Sequence, residues 1–486
     1  MQVFVLALIG GLLFGASIPP CRLSPFAYLG LALLLIANMR QLRWEQRFLI
    51  ATIWGLSSSV LPIAFGIRIS EAQGAVYPTD FEIWLITLAP FFNLALVVGV
   101  VATVAGKMWQ SRFWRGSVWA FGITALGIIA ERLTFLLPIP IHLAVTQANL
   151  RFLVLSIASF TGIWGISWFV WFVSAAIAET VTNRRRNLVT IVTVIVVLLL
   201  SALQFPFVAQ VKGLHLFVAA IQNETEDPLI MLRSVLNSQT RDLPSLIVLP
   251  ELSLGQETPS LRRQLRRILK EASVHDSFIV VGLEETDPPY NSAVLMSSKG
   301  EEILRYHKVH LFGAERWRYR KGHEVKAREG LGIAICFDTV FPDIVRELAR
   351  QGAKVIAVPN HDPVVVGFLL HHLHAVFLPI RAAENRVSIV KADTKGLSQL
   401  IDCNGDVVAE APLGKATVLK GRVAARSFNQ SNFQTPYTRF GDWFVVLCAI
   451  IAVSLFIARL FGLERMLQTN CRLVVQDNIP TKFPNH

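Results

Sequence analysis

The chain has 486 residues, of which 53% are hydrophobic and only 16% charged, and its mean hydropathy is +0.49. A soluble domain carries about 25% charged residues, so the composition departs from the soluble pattern and excludes a disordered, fibrous or linker-rich chain. The sequence is nevertheless basic, with net charge +12, which suits either nucleic-acid binding or cytoplasmic loops of a membrane protein.

Apolar runs near residues 3–18, 26–39, 48–67, 83–105, 116–138, 153–180 and 188–208 predict seven membrane spans. About 20 residues rising 1.5 Å each cross some 30 Å of hydrocarbon, so the first two runs are short and could tilt or lie partly in the interface. From Lys212 to about Phe428, short apolar runs alternate with charged stretches carrying Pro and Gly, which predicts a soluble domain. The run Trp443–Phe461 predicts an eighth span. The expected organisation is a membrane domain over 1–211, a catalytic domain over 212–430, a linker and last span over 431–462, and a cytoplasmic tail over 463–486.

The basic residues sort by loop. Arg40, Arg43 and Arg47 follow the second run, Lys107, Arg112 and Arg115 the fourth, and Arg184, Arg185 and Arg186 the sixth. Arg459, Arg465 and Arg472 lie at or after the eighth, whereas the loop from Arg68 to Glu82 carries Glu71, Asp80 and Glu82. Lys and Arg mark the cytoplasmic side. Both termini are therefore expected inside, and the soluble domain outside. Met1-Gln2-Val3 has no positive charge, so the first run is not expected to be a cleaved signal, and Cys21 lacks the preceding small residue of a lipid-modified cysteine.

Within the soluble domain, Leu214–Gln222, Ser245–Glu251, Phe278–Leu283, Ala293–Ser297, Gly332–Cys336 and Lys354–Pro359 read as strands, and about Ser260–His275 as a basic helix. Strands alternating with helices, plus hairpins, predict an α/β domain with its sheet covered by helices. Two cysteines, Cys336 and Cys403, fall here; they could pair in an oxidising compartment but make no disulfide framework. Cys403 sits before an Asn404-Gly405 turn, where strand packing is expected. Cys336 ends an apolar strand and precedes Phe337-Asp338, the place where open α/β sheets carry their sites.

Three motifs belong with that cysteine. Leu249-Pro250-Glu251 puts a carboxylate just past a buried strand, a costly place for charge unless it is used. Tyr306–Leu311 places Lys308 within a strand-like run, and Gly332–Asp338 supplies Cys336. Glu, Lys and Cys in this order, separated by 57 and 28 residues, with Tyr290–Ala293 before the lysine and Arg381–Arg386 after the cysteine, resemble the nitrilase superfamily over about 213–425. The resemblance implies a four-layer αββα sandwich, with Glu251 as general base, Cys336 as nucleophile and Lys308 as oxyanion stabiliser. The chemistry needs these types: a thiol of pKa near 8.5 needs a proton acceptor, and a developing oxyanion needs a donor.

A nitrilase-like domain inserted between seven spans and one more is similar to the apolipoprotein N-acyltransferase family. That resemblance implies a bacterial inner-membrane enzyme with its catalytic domain on the periplasmic side. It would use a Cys thioester to move an acyl chain from a phospholipid to the amino terminus of a lipoprotein, with no cofactor. Glu315 and Asp338 match supporting acidic positions of the family, the second as Asp where Glu is usual, and Glu131-Arg132 resembles its membrane-embedded Glu-Arg pair. An intramembrane ion pair or interface anchor is the alternative reading of Glu131. The chain departs from the family in a shorter stretch between Lys308 and Cys336, in Phe337 for Tyr, and in Asn360–Gly367, which lacks the usual aromatic pair. A membrane-tethered carbon-nitrogen hydrolase of amidase type, and a non-catalytic or conjugal-transfer assembly component, are the alternatives.

Weaker signals close the reading. His361-Asp362 with His371, His372 and His374 invite a metal site, but no cysteine or carboxylate is spaced in sequence to complete one, and surface or core-edge histidines are expected. Arg262, Arg263, Arg266, Arg267 and Lys270 form a basic stripe, either a solvated face or a contact for anionic headgroups. No nucleic-acid motif or aromatic platform accompanies it, so nucleic acid is not expected as a partner.

Overall fold

The computed structural model describes residues 1–72, 81–111, 113, 114, 116–136, 140, 142–183, 188–209, 213–223, 227–237, 243–271, 277–362, 368–426 and 434–461. The arginines at 112, 115, 184–186, 465 and 472 lie outside them, as does the expected tail. The first half is helical: α1 (Gln2–Ser17), α2 (Pro25–Asn38), α3 (Trp44–Ala72), α4 (Phe81–Trp109), α5 (Ser117–Leu133), α6 (Arg151–Thr161), α7 (Ile163–Asn183) and α8 (Leu188–Ala209).

Among the described residues, five helical stretches are long and apolar enough to cross a membrane: Trp44–Arg68, Thr87–Trp109, Ser117–Leu136, Ile163–Thr182 and Trp443–Leu460. The other three expected spans map to α1, α2 and α8, of which α8 has 22 residues. With 16 and 14 residues, α1 and α2 reach only about 24 and 21 Å, and they pair with each other and with α3. Gly10 and Gly30 abut there, each α-carbon against the other's backbone, the close approach that small residues allow. The run expected as one span over 153–180 is broken at Gly162, whose φ of 72° ends α6 and whose α-carbon is covered by the Tyr437 ring. Only glycine adopts that conformation without strain. Arg47, expected as a loop charge, is buried and donates to the carbonyls of Asn38 and Arg40, closing the C-terminal end of α2.

The second half contains β1 (Gly213–Gln222), α9 (Pro228–Leu236), β2 (Leu246–Val248), α10 (Pro259–Glu271), β3 (Phe278–Thr286), β4 (Pro289–Met296), β5 (Glu302–His307) and α11 (Glu315–Arg318). It continues with β6 (Ala327–Arg328), β7 (Leu331–Ile333), α12 (Pro342–Arg350), β8 (Val355–Asn360), α13 (Phe368–Ala375), α14 (Phe377–Asn385), β9 (Ser388–Asp393), β10 (Gln399–Ile401), β11 (Val407–Glu410) and β12 (Thr417–Arg426). Then follow α15 (Pro436–Phe440) and α16 (Trp443–Leu460).

Two six-stranded sheets form, ordered β12-β1-β2-β3-β4-β5 and β11-β10-β9-β8-β7-β6. Strand periodicity assigns the layers. Val218, Ala220, Leu246, Val248 and Val280 point between the sheets, while their neighbours Ala219, Ile221, Ile247, Leu249 and Ile279 pack against Leu232 of α9 and Leu265 and Ile268 of α10. On the other side α12 and α14 cover the second sheet. This is the expected αββα sandwich joined to a helical membrane domain. Local chemistry starts the helices: Asp227 caps α9 by accepting from Leu229 N at 2.8 Å, with Pro228 as its first residue.

The membrane half docks on the second sheet's helices, with α6 against α14 and α15 and α3 against α13. The basic α10 lies on the opposite outer layer, remote from those contacts, and Arg262 is paired with Glu257 at 2.7 Å. That geometry favours a solvated face over headgroup contact.

Candidate active site

Glu251, Lys308 and Cys336 lie at the ends of their strands and line one cavity. Glu251 follows β2, and its backbone is held close over β3 because Gly282 has no side chain: a Cβ there would strike the Pro250 carbonyl. Lys308 lies just past β5 rather than within a strand, with its amide donating to the Asn291 carbonyl at 2.9 Å. Its ammonium donates to Glu251 at 2.7 Å and contacts both Glu315 oxygens at 2.9 and 2.8 Å. Asn291 bridges the same two carboxylates, its Nδ2 donating to Glu251 at 2.6 Å and to Glu315 at 3.0 Å. Glu315, at the start of α11, also accepts from Phe312 N at 2.8 Å.

Burial raises the pKa of Glu251, an effect that the neighbouring Lys308 ammonium only partly offsets. Burial alone would lower that of Lys308, but the acidic groups around it, Cys336 and Glu251 foremost, hold it well above the usual lysine value. The Cys336 thiol is pushed well above its ordinary value by burial and then by the Glu251 charge. The resting thiol is therefore protonated, with an acceptor and a fixed cation beside it.

Cys336 has φ 47°, a left-handed backbone that is uncommon for a non-glycine residue and concentrates at functional sites. Asp338 and His374 brace this elbow. Asp338 is wholly buried and accepts from Ile335 N (3.0 Å), His310 N (2.7 Å) and the Tyr306 hydroxyl (2.8 Å). It thus supports the Cys336 turn without joining the Glu251–Lys308 pair. His374 Nε2 contacts the Cys336 carbonyl and Thr339 Oγ1, both at 3.1 Å, while its Nδ1 meets Asp362 at 3.1 Å. Asn in place of Asp338 leaves at least one of three buried donors facing an amide NH2, a cost of about 1–3 kcal/mol. Asp338→Asn is expected to lower the unfolding temperature in detergent and to slow turnover; an unchanged melting curve would mean that the elbow does not depend on this carboxylate.

The histidine cluster corrects the reading of separate surface or core-edge histidines. Ligand atoms of Cys336, Asp362 and His374 come within 4.8 Å of one another, so the fold supplies the cysteine and carboxylate that linear spacing did not. Both ring nitrogens of His374 are already engaged, and Lys391 Nζ lies 3.2 Å from Asp362, so the trio is built as a hydrogen-bonded brace rather than an open ligand set. Cys336 and Cys403 are not joined in a disulfide. Glu131 and Arg132 do not pair with each other. Glu131 accepts from Ser167 (2.6 Å), Trp171 (2.9 Å) and Leu143 N (3.2 Å), whereas Arg132 pairs with Asp442 at 3.0 Å.

The cavity holds about 290 Å³. Beyond the polar groups its wall is apolar and crosses into the membrane half, through Phe14 of α1, Ile18 just past that helix, Phe91 and Leu94 of α4, and Leu143 and Val145. Phe337, in the place of the expected Tyr, packs edge-on against Phe312 and Phe341. Such a site can hold an apolar chain while presenting a thiol, a base and an ammonium to one polar carbon.

A family model described as carbon-nitrogen hydrolase matches residues 229–430, and one described as the apolipoprotein N-acyltransferase N-terminal domain matches residues 10–176. The chain is 29% identical over 192 residues to an apolipoprotein N-acyltransferase of Geobacter metallireducens, covering 34% of this chain and 36% of that protein. It is 32% identical over 152 residues to a deaminated glutathione amidase of Synechocystis, covering 26% of this chain and 55% of that protein. The matched stretches thus span about a third to about half of these relatives' lengths. An amidase from Nesterenkonia has a solved structure that aligns at 22% identity and a TM-score of 0.37, over 44% of this chain and 92% of that one.

Proposed function

The chain belongs to the apolipoprotein N-acyltransferase family within the nitrilase superfamily, and on that premise we propose that it transfers an acyl chain from a phospholipid to the amino terminus of a lipoprotein through a thioester on Cys336. The observation that carries the reading is that one cavity is lined both by Glu251, Lys308 and Cys336 and by side chains of α1 and α4. A hydrolase of small soluble amides has no use for a wall made of membrane helices. A surface-held site also raises the effective concentration of two lipid-anchored substrates. The loop charges support a catalytic half on the outer face of a bacterial inner membrane with both termini inside.

In the first half-reaction the Cys336 thiol gives its proton to Glu251 as sulfur bonds to the ester carbonyl carbon. Lys308 and the Phe337 N–H stabilise the oxyanion. The carbonyl re-forms, the ester C–O bond breaks, and Glu251 returns the proton to the departing lysophospholipid alkoxide. In the second half-reaction the neutral amine attacks the thioester, Glu251 takes the proton it sheds, and as the C–S bond breaks Glu251 passes that proton to sulfur, regenerating the thiol and the carboxylate.

The test is to incubate the full-length protein with phospholipid carrying a labelled acyl chain. The expected result is a hydroxylamine-labile label on the protein, discharged by a diacylglyceryl peptide with a free amino terminus. An unlabelled protein that nevertheless turns over small amides without lipid would replace this reading by the amidase alternative. An intact biological function in Cys336→Ala would point to an assembly role.

A further inference from the structure

Asn360, His361 and Asp362, where the sequence departs from the family, bring a second carboxylate into the catalytic cavity. Asp362 lines it together with Cys336, and one of its oxygens lies within 4.8 Å of the sulfur. It arrives from β8 of the second sheet, whereas Glu251 arrives from β2 of the first. Proton transfer by Glu251 and oxyanion binding by Lys308 leave Asp362 without a chemical role.

Its position is fixed by the residues behind it. The Asp362 N–H donates to Asp393 Oδ1 at 3.1 Å, and Asn360 Nδ2 donates to Asp393 Oδ2 at 2.6 Å. Lys391 Nζ lies 3.2 Å from Asp362 Oδ2 and 2.9 Å from Asp393, so one buried ammonium serves two carboxylates. His374 Nδ1 is 3.1 Å from each Asp362 oxygen. Among the described residues that is the one side-chain contact of Oδ1, and a carboxylate oxygen accepts more than one hydrogen bond. The Asp362 side chain keeps 16% exposure against 2% for Glu251, which leaves room for a further donor.

The two acids are tuned in opposite directions. Burial raises Glu251, which suits a group that takes and returns a proton. Burial alone would raise Asp362 as well, but His374 and then Lys391 beside it hold it well below the ordinary carboxylate range. Carboxylates pushed apart in this way divide the work, one moving a proton and the other holding a charge.

Attack on the thioester creates a charge to hold. As the amine lone pair forms the C–N bond, the carbonyl pair moves to the oxygen beside Lys308 and the nitrogen becomes positive. A nitrogen in attack range stands about 3–3.5 Å from the acyl carbon. That carbon is bonded to the sulfur, so the nitrogen can lie within hydrogen-bond reach of Asp362. We propose that Asp362 is the acceptor subsite, taking a hydrogen bond from the acceptor's primary amine and balancing the positive charge its nitrogen gains on attack. Glu251 then removes a proton from that nitrogen, the carbonyl re-forms, the C–S bond breaks and the proton passes to sulfur. Asp362 remains a carboxylate throughout. The assignment rests on the acyl-transfer reading and deepens it, by favouring an amine over water as the group that discharges the thioester.

The experiment loads full-length protein in detergent with a labelled acyl chain from phospholipid, then adds a diacylglyceryl peptide with a free amino terminus. Thioester formation, its discharge, and the ratio of amide to free fatty acid are measured separately. Asp362→Asn is expected to slow discharge by the peptide at least tenfold more than it slows thioester formation, and to shift product toward free acid. Equal slowing of both steps would reduce Asp362 to a structural support of the His374 brace and overturn the proposal. A second measurement uses the unmodified protein. The same peptide with a dimethylated amino terminus carries a positive charge and one N–H but cannot form the amide. It is expected to block discharge at least tenfold better than the acetylated peptide; equal inhibition by the two also overturns the proposal. Absence of any acyl-enzyme in the unmodified protein is a different failure, which removes the acyl-transfer reading and this subsite with it.

Discussion

Cys336→Ala is expected to abolish both the acyl-enzyme and net acyl transfer, with a loss on the order of 10⁴-fold or more, as for removal of other covalent nucleophiles. The size follows from the site, where no second nucleophile stands beside Glu251 and Lys308 among the described lining residues. Cys336→Ser tests the chemistry more narrowly. A hydroxyl keeps the elbow and its brace from Asp338 and His374, so folding and lipid binding are expected to persist. Its proton is far harder to remove than that of a thiol, so turnover is still expected to collapse. Labelled phospholipid read on denaturing gels, with and without hydroxylamine, checks both variants. A labile label surviving in Cys336→Ala would move the nucleophile elsewhere.

Glu251→Gln is expected to lower the rate of thioester formation by about 10²–10⁴-fold, the usual contribution of a positioned base. The amide retains an oxygen that Lys308 and Asn291 can both reach but cannot take a proton, so stability should change much less than rate. The pH profile gives the second readout. Glu251 acts as base only when ionised, and burial raises its pKa above the ordinary carboxylate value of 4.5. The rate is therefore expected to fall, on acidification, at a pH above the ordinary carboxylate range. Lys308 stays protonated well above the usual lysine value, so its titration causes no loss on the alkaline side below about pH 10. Single-turnover rates across pH check this. An acid limb at or below 4.5, or one unchanged in Glu251→Gln, would remove Glu251 from the role.

Local pattern carried the parts of this molecule whose partners are close in sequence or repeat with a fixed period. The buried strands announce themselves as apolar runs, and the alternation of Val218 and Ala220 with Ala219 and Ile221 follows from strand geometry alone. Cys336 was visible because a polar exit follows its strand. What pattern could not reveal are contacts that only tertiary structure makes. His374 meets both Asp362 and the Cys336 carbonyl, the three coming from different segments, and no linear spacing encodes that meeting. Asn291 was noticed as part of a motif, yet its bridging of Glu251 and Glu315 depends on a hairpin folding back. Glu131 and Arg132 are neighbours in the chain, which suggested a pair, but consecutive helical side chains diverge by about 100° and found separate partners. The break at Gly162 was hidden inside a continuous apolar run, where composition and conformation disagree.

All nine residues of α14 are buried, and its Arg381–Glu384 pair joins two solvents. Glu384 accepts the backbone N–H of Ile163 at 2.7 Å, closing the first turn of the membrane helix α7. Arg381 donates to the carbonyls of Thr339 and Val340 at 3.1 and 2.9 Å, in the turn that follows Cys336. The polar half is therefore not a detachable cargo on a greasy anchor. Excised alone, it would offer water an apolar helix face and a carboxylate stripped of its N–H partner. Through these two side chains the first turn of α7 and the turn that carries Cys336 share one buried ion pair.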